Sequence, residues 1–415
     1  MDLTPNTYLH RVPNLRVQLL DRDEIIVFKQ DQWLKCPAHG LAILDAFAQS
    51  IEVFEAVRKL EERFADPVDR ARALDAIADL YRAGFLQTDG HRTSSTLQTK
   101  PTFACFLDEQ SPRLLPYRAR SLRDPAADPG TLVINRRIQI QRGSGPPEGS
   151  ADAFPYCARF LSGYPILWVE DTGTKILAPY WLNDTYLELI RRLIAGEISP
   201  SELDPSVSTT LTAAKVLVPA EHEESQTRES RETFANLFMH LQSEQYAIVR
   251  RVIHPLQIAA LRRYFRTLDH KNFLVPDVHG PTVRYFLHNE EVAMFVHRQL
   301  TNLVRCVTRE LIRPSYCFLS LYKSGAVLTR HTDRPQCLWN VSLLIDADPE
   351  RELSDSWPIY LEVGHETKEI CLEMGDGLLY RGTELPHWRE QLGNGETATL
   401  MLCHFVPEDF AGDLD

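Results

Sequence analysis

The hydrophobic pattern near the amino-terminus changes from strand-like runs to a helical period. Residues 15–20 and 24–28 are short apolar runs separated by polar positions, which predicts two neighbouring β-strands. Apolar side chains then recur at helical spacing in residues 41–47 and 53–60. Asp66-Pro67 offers a cap and a first-turn proline for a third helix. This order of elements predicts a small α/β module.

A similar order returns in residues 161–222. Residues 164–170 and 175–178 predict two strands joined by a turn, and residues 186–193 predict an amphipathic helix. The segment then ends in a helix-to-strand corner, as the first module does. We therefore predict a second copy of the module that shares the order of elements but little sequence identity.

Two segments separate these modules from each other and from the rest of the chain. Between the first module (1–95) and the second (161–222), residues 96–160 are rich in proline, serine and arginine, which predicts a connector with partial order. Residues 221–228 are almost entirely charged or polar and predict a solvated linker. The last predicted domain covers residues 232–415.

The last domain places its helical patterns before its strand patterns. Residues 255–265 and 289–311 have helical spacing, and the β-rich half follows them. Helices first and strands afterwards predict an α+β arrangement in which helices support one sheet. The chain as a whole is therefore predicted to be an α+β multidomain protein.

Composition limits the classes of function. A chain of 415 residues with 44% hydrophobic side chains is long and apolar enough for two or three packed domains. The net charge of −12 argues against non-specific binding to nucleic acids and against adhesion to anionic membranes. The start of the sequence lacks the pattern of a signal peptide, and the eight cysteines show no Cys-x-x-Cys spacing. We expect a cytoplasmic protein with no nucleic-acid or membrane partner, and a homodimer is compatible with the sequence.

The candidate chemistry lies in His331-Thr332-Asp333 and in His387, 56 residues after His331. His-x-Asp suits a strand or strand end, because alternate side chains project to one side and can share a metal ion. The short strand at residues 378–380, bounded by glycines, leads to the second histidine. Two imidazoles and one carboxylate can occupy one face of an iron(II) octahedron. The alternative is a pair of hydrogen-bonding histidines without a metal.

These motifs resemble those of the Fe(II)- and 2-oxoglutarate-dependent oxygenases. The resemblance covers residues 232–415 and rests on residues 322–326 (YKSGA), His331-Thr332-Asp333, residues 357–361 (WPIYL) and the approach to His387. It implies a double-stranded β-helix, or jelly roll, with supporting helices. It also implies that the two histidines and the aspartate bind Fe(II), with 2-oxoglutarate and dioxygen as co-substrates.

The sequence departs from this family where the far carboxylate of 2-oxoglutarate is usually bound. Family members place an arginine or lysine about ten residues after the distal histidine, but residues 394–400 contain no cation. Arg389 is the first candidate, because it lies two residues after His387 and therefore on the same side of a strand. The other candidates are the cations Arg381, Lys323 and Arg330 and the hydrogen-bond donors Tyr322 and Thr399. Asn340 either faces the site or satisfies a loop.

The first module resembles a winged-helix peptide-recognition element of enzymes that modify ribosomally made peptides. The resemblance implies that a leader peptide binds as an extra strand at the edge of the small sheet. One alternative is a domain that only packs against the oxygenase or forms a dimer. A DNA-binding winged helix is disfavoured, because the predicted helices mix acidic and basic side chains and offer no cationic face.

Three hypotheses about function follow. The first is an oxygenase that hydroxylates a side chain of a ribosomally made precursor peptide bound through the amino-terminal domain. The second keeps the same chemistry but assigns it to a small metabolite, with structural amino-terminal domains. The third is a non-catalytic jelly-roll binding protein.

Overall fold

The computed structural model describes most of the chain. The described residues are 8–12, 15–19, 24–29, 32–37, 40–48, 51–63, 70–88, 98–108, 131–142, 159–277, 283–350 and 353–414. Within them the protein is a mixed α/β structure with eight α-helices and several β-sheets. It divides into two compact units, one of Met1–Pro101 with Leu268–Phe273 and one of Thr102–Thr267 with Leu274–Asp415.

The described residues of the first unit include seven strands and three complete helices. They are β1 (Tyr8–Arg11), β2 (Arg16–Leu19), β3 (Glu24–Lys29), β4 (Gln32–Pro37), α1 (Gly40–Ala46), β5 (Ile51–Glu52), α2 (Val53–Arg63), α3 (Arg70–Arg82), β6 (Leu86–Gln87) and β7 (Gln98–Thr99). The two strands and three helices predicted from the pattern are confirmed, although the cap at Asp66-Pro67 lies outside the described residues. The pattern did not indicate β1 or β4.

Two small sheets build this unit. Strands β2, β3 and β4 form an antiparallel meander, and β7 joins β2 in parallel. Strand β1 lies between β5 and β6. The core is formed by apolar side chains of the strands and of all three helices, including Val27, Leu44, Val57 and Ile77. Burial of these side chains explains why helices with many charged residues are stable here.

The front part of the second unit is built from strands and two helices. They are β8 (Phe106–Leu107), β9 (Leu132–Ile134), β10 (Ile138–Arg142), β11 (Pro165–Glu170), β12 (Leu177–Leu182), α4 (Asp184–Ala195), α5 (Pro205–Ala213) and β13 (Leu217–Pro219). One sheet has the order β10-β11-β12-β8, and β9 pairs with β13. The predicted connector thus supplies three strands whose partners lie in residues 161–222. Such short strands have no signature of their own, because their pairing partners stabilise them.

The predicted linker at residues 221–228 is wrong. Those residues begin a long helix, α6 (His222–Glu244). Glutamate, glutamine and arginine are good helix formers, so a polar segment can be helical without an apolar stripe. Gln226 Nε2 also donates a hydrogen bond to Glu229 one turn later, at 3.1 Å.

Two facing sheets follow in the second unit. Their elements and the associated helices are β14 (Tyr246–Val249), α7 (Pro255–His270), β15 (Val275–Pro276), β16 (Arg284–His288), α8 (Glu291–Thr308), β17 (Ile312–Lys323), β18 (Leu328–His331), β19 (Trp339–Asp348), β20 (Ile359–Val363), β21 (Glu366–Ile370), β22 (Gly377–Arg381), β23 (His387–Arg389) and β24 (Thr397–Pro407). The large sheet has the order β14-β22-β19-β24-β17-β16-β15, and the small sheet has the order β18-β23-β20-β21.

The space between the two sheets holds an apolar core. Tyr322, Leu344, Leu378 and Leu400 of the large sheet pack in one cluster with residues of the small sheet such as Leu361. The inward positions alternate along each strand, as the period of two requires. Both sheets therefore present side chains to one interior.

Helix α8 supports the outer face of the large sheet. It begins at Glu290, whose carboxylate accepts hydrogen bonds from the backbone N–H groups of Val292 (2.9 Å) and Ala293 (3.0 Å). Its fully buried His297 donates a hydrogen bond from Nε2 to the carbonyl oxygen of His404 on β24, at 2.8 Å. This confirms the prediction that helices support one sheet. Among the described residues, none of the helices combines the length and apolar character that a membrane crossing requires.

Candidate metal centre

The two histidines are direct cross-strand neighbours. Strand β18 ends at His331, which pairs with His387 of the antiparallel strand β23. The preceding pair joins Leu328 to Arg389, so β18 contains one more residue than β23 between the two pairs. This β-bulge bends the strand immediately before the histidine. The prediction of a strand end facing a returning strand is confirmed.

Asp333 approaches both imidazoles. The Nε2 atom of His331 lies 3.5 Å from Asp333 Oδ1, and the Nε2 atom of His387 lies 3.6 Å from Asp333 Oδ2. The ring centroids of the histidines are 4.4 Å apart, and one ligand atom from each of the three side chains lies within 4.8 Å of the others. Three donors with bonds of about 2.1 Å on one octahedral face would be about 3 Å apart. The observed separations need only small adjustments to reach that geometry.

Backbone carbonyls select the tautomer of each histidine. Nδ1 of His331 lies 2.7 Å from the carbonyl oxygen of Thr329, and Nδ1 of His387 lies 3.0 Å from that of Leu385. A carbonyl oxygen only accepts hydrogen bonds, so each Nδ1 carries a proton. In a neutral imidazole the lone pair is then on Nε2, which points towards the aspartate. This arrangement is typical of metal-binding histidines.

A second set of contacts positions Asp333. Its backbone N–H donates to the carbonyl oxygen of Gly382 at 2.8 Å, and its Oδ2 accepts a short hydrogen bond from the side-chain amide of Asn340. The other end of that amide, Oδ1, lies 2.6 Å from Nδ1 of the buried His404. Gly382 is required at its position, because a Cβ there would overlap with Asp333 Oδ2 and Asn340 Nδ2.

The charges around the three side chains suit cation binding. Burial works to raise the pKa of Asp333, but its hydrogen bond with His331 and the nearby imidazoles outweigh burial, so the pKa lies below its usual value. Burial lowers the pKa of His387. The hydrogen bond with Asp333 raises the pKa of His331. The carboxylate is therefore ionised and His387 neutral at neutral pH, the protonation states that a metal ion needs.

The donors open into a cavity of about 480 Å³ between the two sheets. Of the predicted site residues, the cavity is lined by His331, Asp333, His387, Tyr322, Asn340 and Arg389. The prediction that Arg389 lies on the same side of β23 as His387 is confirmed. Asn340 faces the site, which decides between its two alternatives.

Arg389 is a buried cation. Its side chain is only 3% exposed, Nη1 donates to the carbonyl oxygen of Trp357 at 2.6 Å, and the guanidinium lies 4.8 Å from the Trp357 ring centroid. Burial lowers its pKa to about 10. It forms an ion pair with no carboxylate in the described part of the chain. A buried guanidinium without a counter-ion is costly, which points to an anionic ligand in this part of the cavity.

Among the other candidates for the far carboxylate, Tyr322 also lines the cavity, whereas Arg381, Arg330, Lys323 and Thr399 lie outside its lining. Arg381 forms ion pairs with Glu310 (2.6 Å) and Glu384 (2.7 Å). The exposed Arg330 pairs with Glu362 at 2.6 Å.

The last two candidates are also turned away from the cavity. Nζ of Lys323 lies 4.5 Å from the Tyr285 ring centroid. Thr399 alternates with the cavity-lining Leu400 on β24 and so belongs to the opposite face of that strand. Of the four predicted cations, Arg389 is therefore the one that lines the cavity, together with the predicted donor Tyr322.

Four residues of the site were not predicted from the sequence. His404 and Gly382 hold the Asp333 network, whereas Arg284 and Arg334 bring two further cations to the cavity. Arg334 follows the predicted ligand Asp333 directly, and that adjacency was an available signal. The roles of the other three depend on strand neighbours that only the fold reveals.

No protein-family model matches the chain, and no curated protein matches it. Several solved structures are similar in fold to a part that makes up 42% of the chain. A prolyl-4-hydroxylase from Pseudomonas putida is 13% identical with a TM-score of 0.35, and 99% of that protein is covered. The epimerase SnoN from nogalamycin biosynthesis, in complex with Fe3+, α-ketoglutarate and nogalamycin RO, is 11% identical, with a TM-score of 0.36 and 84% covered. HygX from Streptomyces hygroscopicus, with nickel, 2-oxoglutarate and hygromycin B bound, is 13% identical, with a TM-score of 0.35 and 88% covered. Likeness at this level supports no transfer of function.

Proposed function

We propose that this chain is an iron(II)- and 2-oxoglutarate-dependent oxygenase. One observation carries the proposal: His331, Asp333 and His387 direct three donor atoms to one point at the wall of a large internal cavity. Two nitrogen donors and one oxygen donor on one face are typical of non-haem iron(II) oxygenases. Tetrahedral zinc sites that bind by thiolate ligands are a poorer match, because no cysteine belongs to the three-residue cluster.

These three side chains would hold Fe(II). With 2-oxoglutarate and dioxygen, the bound metal supplies the oxidising power for hydroxylation of an unactivated C–H bond. The carbonyl oxygens of Thr329 and Leu385 accept the Nδ1 protons and so aim the Nε2 atoms of the two histidines, and Asn340 keeps the carboxylate in place. Fixed donors of this kind reduce the reorganisation that metal binding requires.

Arg389 would hold the far carboxylate of 2-oxoglutarate. It lines the same cavity as His387, is buried, and has no carboxylate partner among the described residues. Tyr322, on the neighbouring part of the cavity wall, would supply a further hydrogen bond. The apolar lining residues Ile359, Leu400 and Leu402 exclude water around that carboxylate, which strengthens the charge-assisted bonds.

The finer architecture is part of the same proposal. The two facing sheets of the second unit would be the jelly roll of residues 232–415, and the first unit would be the winged-helix peptide-recognition domain. Within the described residues, β4 pairs with β3 on one side only. Its free edge would accept a leader peptide as an added strand. The substrate would then be a side chain of a ribosomally made precursor peptide, modified in the cytoplasm.

Metal binding is the decisive test of the chemistry. The full-length chain is titrated with Fe(II) under anaerobic conditions and then with 2-oxoglutarate, and the metal–ligand charge-transfer absorption is recorded. We expect one Fe(II) per chain, and we expect Asp333→Ala and His387→Ala to abolish both the binding and the succinate formation. The exposed His365→Ala is the matched control and should behave as the unaltered protein. A chain that binds no Fe(II) would instead support the non-catalytic binding protein.

A separate assay tests the peptide part. The precursor peptide encoded next to the gene for this protein is incubated with the full-length protein, Fe(II) and 2-oxoglutarate. The reaction is run with the leader segment present and with it removed, and the product masses are measured by mass spectrometry. We expect a mass gain of one oxygen that depends on the leader. Equal conversion of both peptides would remove the recognition role. Turnover of small metabolites alone would replace the peptide substrate while leaving the oxygenase chemistry intact.

A further inference from the structure

The cavity contains a cation that the metal and 2-oxoglutarate leave unused. Arg334 follows Asp333 in the chain, lines the cavity and is solvent-exposed. Its Nε donates to the phenol oxygen of Tyr316 at 2.8 Å, and its guanidinium lies 4.5 Å from the centroid of that ring. It forms an ion pair with no carboxylate in the described part of the chain. The side chain is thus oriented without being neutralised.

The charges of the occupied site explain why this cation matters. This charge balance rests on the proposed function. In the occupied site, the two positive charges of Fe(II) and the one of Arg389 would balance the single negative charge of Asp333 and the two of 2-oxoglutarate. Arg284, the third arginine of the cavity, is already paired with Asp277 at 2.5 Å. Asp333 is the only carboxylate that lines the cavity in the described residues. Arg334 therefore remains as one uncompensated positive charge.

The wall beside Arg334 is aromatic. Tyr316 and Phe318 line the cavity, with ring centroids 5.4 Å apart and an interplanar angle of 81°. Phe286 supports Phe318 from behind at 5.5 Å. The phenol oxygen of Tyr316 also lies 2.8 Å from the sulfur of Cys337, so the ring that carries Arg334 is held at two points. Rigid aromatic walls favour a flat or bulky apolar group.

We propose that Arg334 determines substrate specificity by binding a carboxylate of the substrate, with the apolar part beside that carboxylate packed on Tyr316 and Phe318. A guanidinium stacked on a ring loses little conformational entropy when it binds an anion, and its planar fork matches a carboxylate. The oxygenase substrate is then an acid, either a small carboxylic acid or a peptide with an acidic side chain next to an aromatic one.

Matched probe pairs test this proposal. The first pair is 3-phenylpropanoate and 3-phenylpropanamide. The second is a capped Phe-Glu-Phe peptide and its Phe-Gln-Phe counterpart. Each pair differs in one charge at nearly constant shape. Binding to the full-length chain is measured by calorimetry with 2-oxoglutarate and with Zn(II) in place of Fe(II), because Zn(II) supports no oxidation. The measurement is repeated with neither Zn(II) nor 2-oxoglutarate.

We expect the unaltered protein to bind the acid of at least one pair about tenfold more tightly than the neutral member, as one charge-assisted hydrogen-bond pair provides. Arg334→Gln should remove the preference for the acid without lowering the affinity for the neutral probe. Arg334→Lys should keep part of the preference. Arg330→Gln, a neighbouring arginine paired with Glu362 outside the cavity, should change nothing. Preference within the first pair identifies a small acid, and within the second an acidic peptide.

Three results would overturn the assignment: no preference in either pair, a preference that survives Arg334→Gln, or one that disappears instead in Arg389→Gln. The last result would place the anion in the 2-oxoglutarate pocket. The experiment also separates this inference from the proposed function. If Zn(II) and 2-oxoglutarate fail to bind, the oxygenase proposal fails, whereas the measurement on the metal-free chain still decides the role of Arg334.

Discussion

Asn340 and His404 lie opposite each other on the neighbouring strands β19 and β24, with 2.6 Å between Asn340 Oδ1 and His404 Nδ1. An amide oxygen only accepts hydrogen bonds, so His404 donates and fixes which end of the amide faces Asp333. The Nδ2 group is thereby directed to the carboxylate. Burial lowers the pKa of His404 to about 4, so the imidazole stays neutral at neutral pH. The pair orients Asp333, the proposed metal ligand, without adding charge to the site.

Removal of the amide should weaken metal binding. We expect Asn340→Ala to lower the affinity for Fe(II) about 10- to 100-fold, the usual effect of losing a group that orients a metal ligand. Calorimetric titration with Fe(II) measures it. Ser342→Ala is the matched control, because Ser342 lies on the same strand, lines the same cavity and has a buried hydroxyl group without a hydrogen-bond partner among the described residues. Equal losses in both variants would contradict the role given to Asn340.

Gly382 limits the space beside the carboxylate. A Cβ at this position would overlap with Asp333 Oδ2 and Asn340 Nδ2 and lie 2.8 Å from the carbonyl oxygen of Cys337. We expect Gly382→Ala to lower Fe(II) affinity more than about tenfold and to destabilise the fold by about 1 to 3 kcal/mol. Gly393→Ala is the control, because the nearest atoms to its Cβ would belong to the side chain of Glu396, which can rotate away. Unchanged Fe(II) affinity in Gly382→Ala would show that the carboxylate tolerates displacement.

Arg389 should control the affinity for 2-oxoglutarate but not for the metal. Loss of its charge-assisted bonds in Arg389→Gln should cost about 2 to 3 kcal/mol, or about 30- to 150-fold in the 2-oxoglutarate dissociation constant. Fe(II) affinity should stay within about twofold, and both are measured by anaerobic titration. Arg381→Gln removes an arginine already paired with Glu310 and Glu384 and should leave 2-oxoglutarate binding unchanged. The reverse result would transfer the anchor to Arg381.

Part of the arrangement of the proposed metal ligands could be predicted from the sequence, because it depends on local rules. A strand period of two places His331 and Asp333 on one side, and the glycine-bounded strand β22 returns the chain to His387. The same period places Arg389 beside His387. That His387 meets His331 depends instead on the pairing of β18 with β23, and this part of the prediction came from the resemblance to the oxygenases.

The supporting residues could not be predicted, because they depend on which strands become neighbours. His404 reaches Asn340 only since β24 lies beside β19, and the need for Gly382 arises from a close approach across the fold. The bulge between Leu328 and His331 likewise follows from pairing with β23. At residues 221–228, polarity was interpreted as a linker although the same residues favour a helix.

The fully buried His297 predicts how stability depends on pH. Burial lowers its pKa from 6.5 to about 3 in the folded state, so between these values the unfolded chain binds more protons. Its contribution to stability is therefore present above about pH 6.5 and is lost as the pH falls through that window, by up to about 1.4 kcal/mol per pH unit. Urea unfolding at pH 7, 6, 5 and 4.5 measures this slope. His297→Gln, whose amide can still donate to the His404 carbonyl, should have a shallower slope. His365→Gln, which changes an exposed histidine, should keep the slope of the unaltered protein. Equal slopes in the unaltered protein and both variants would contradict a neutral buried His297.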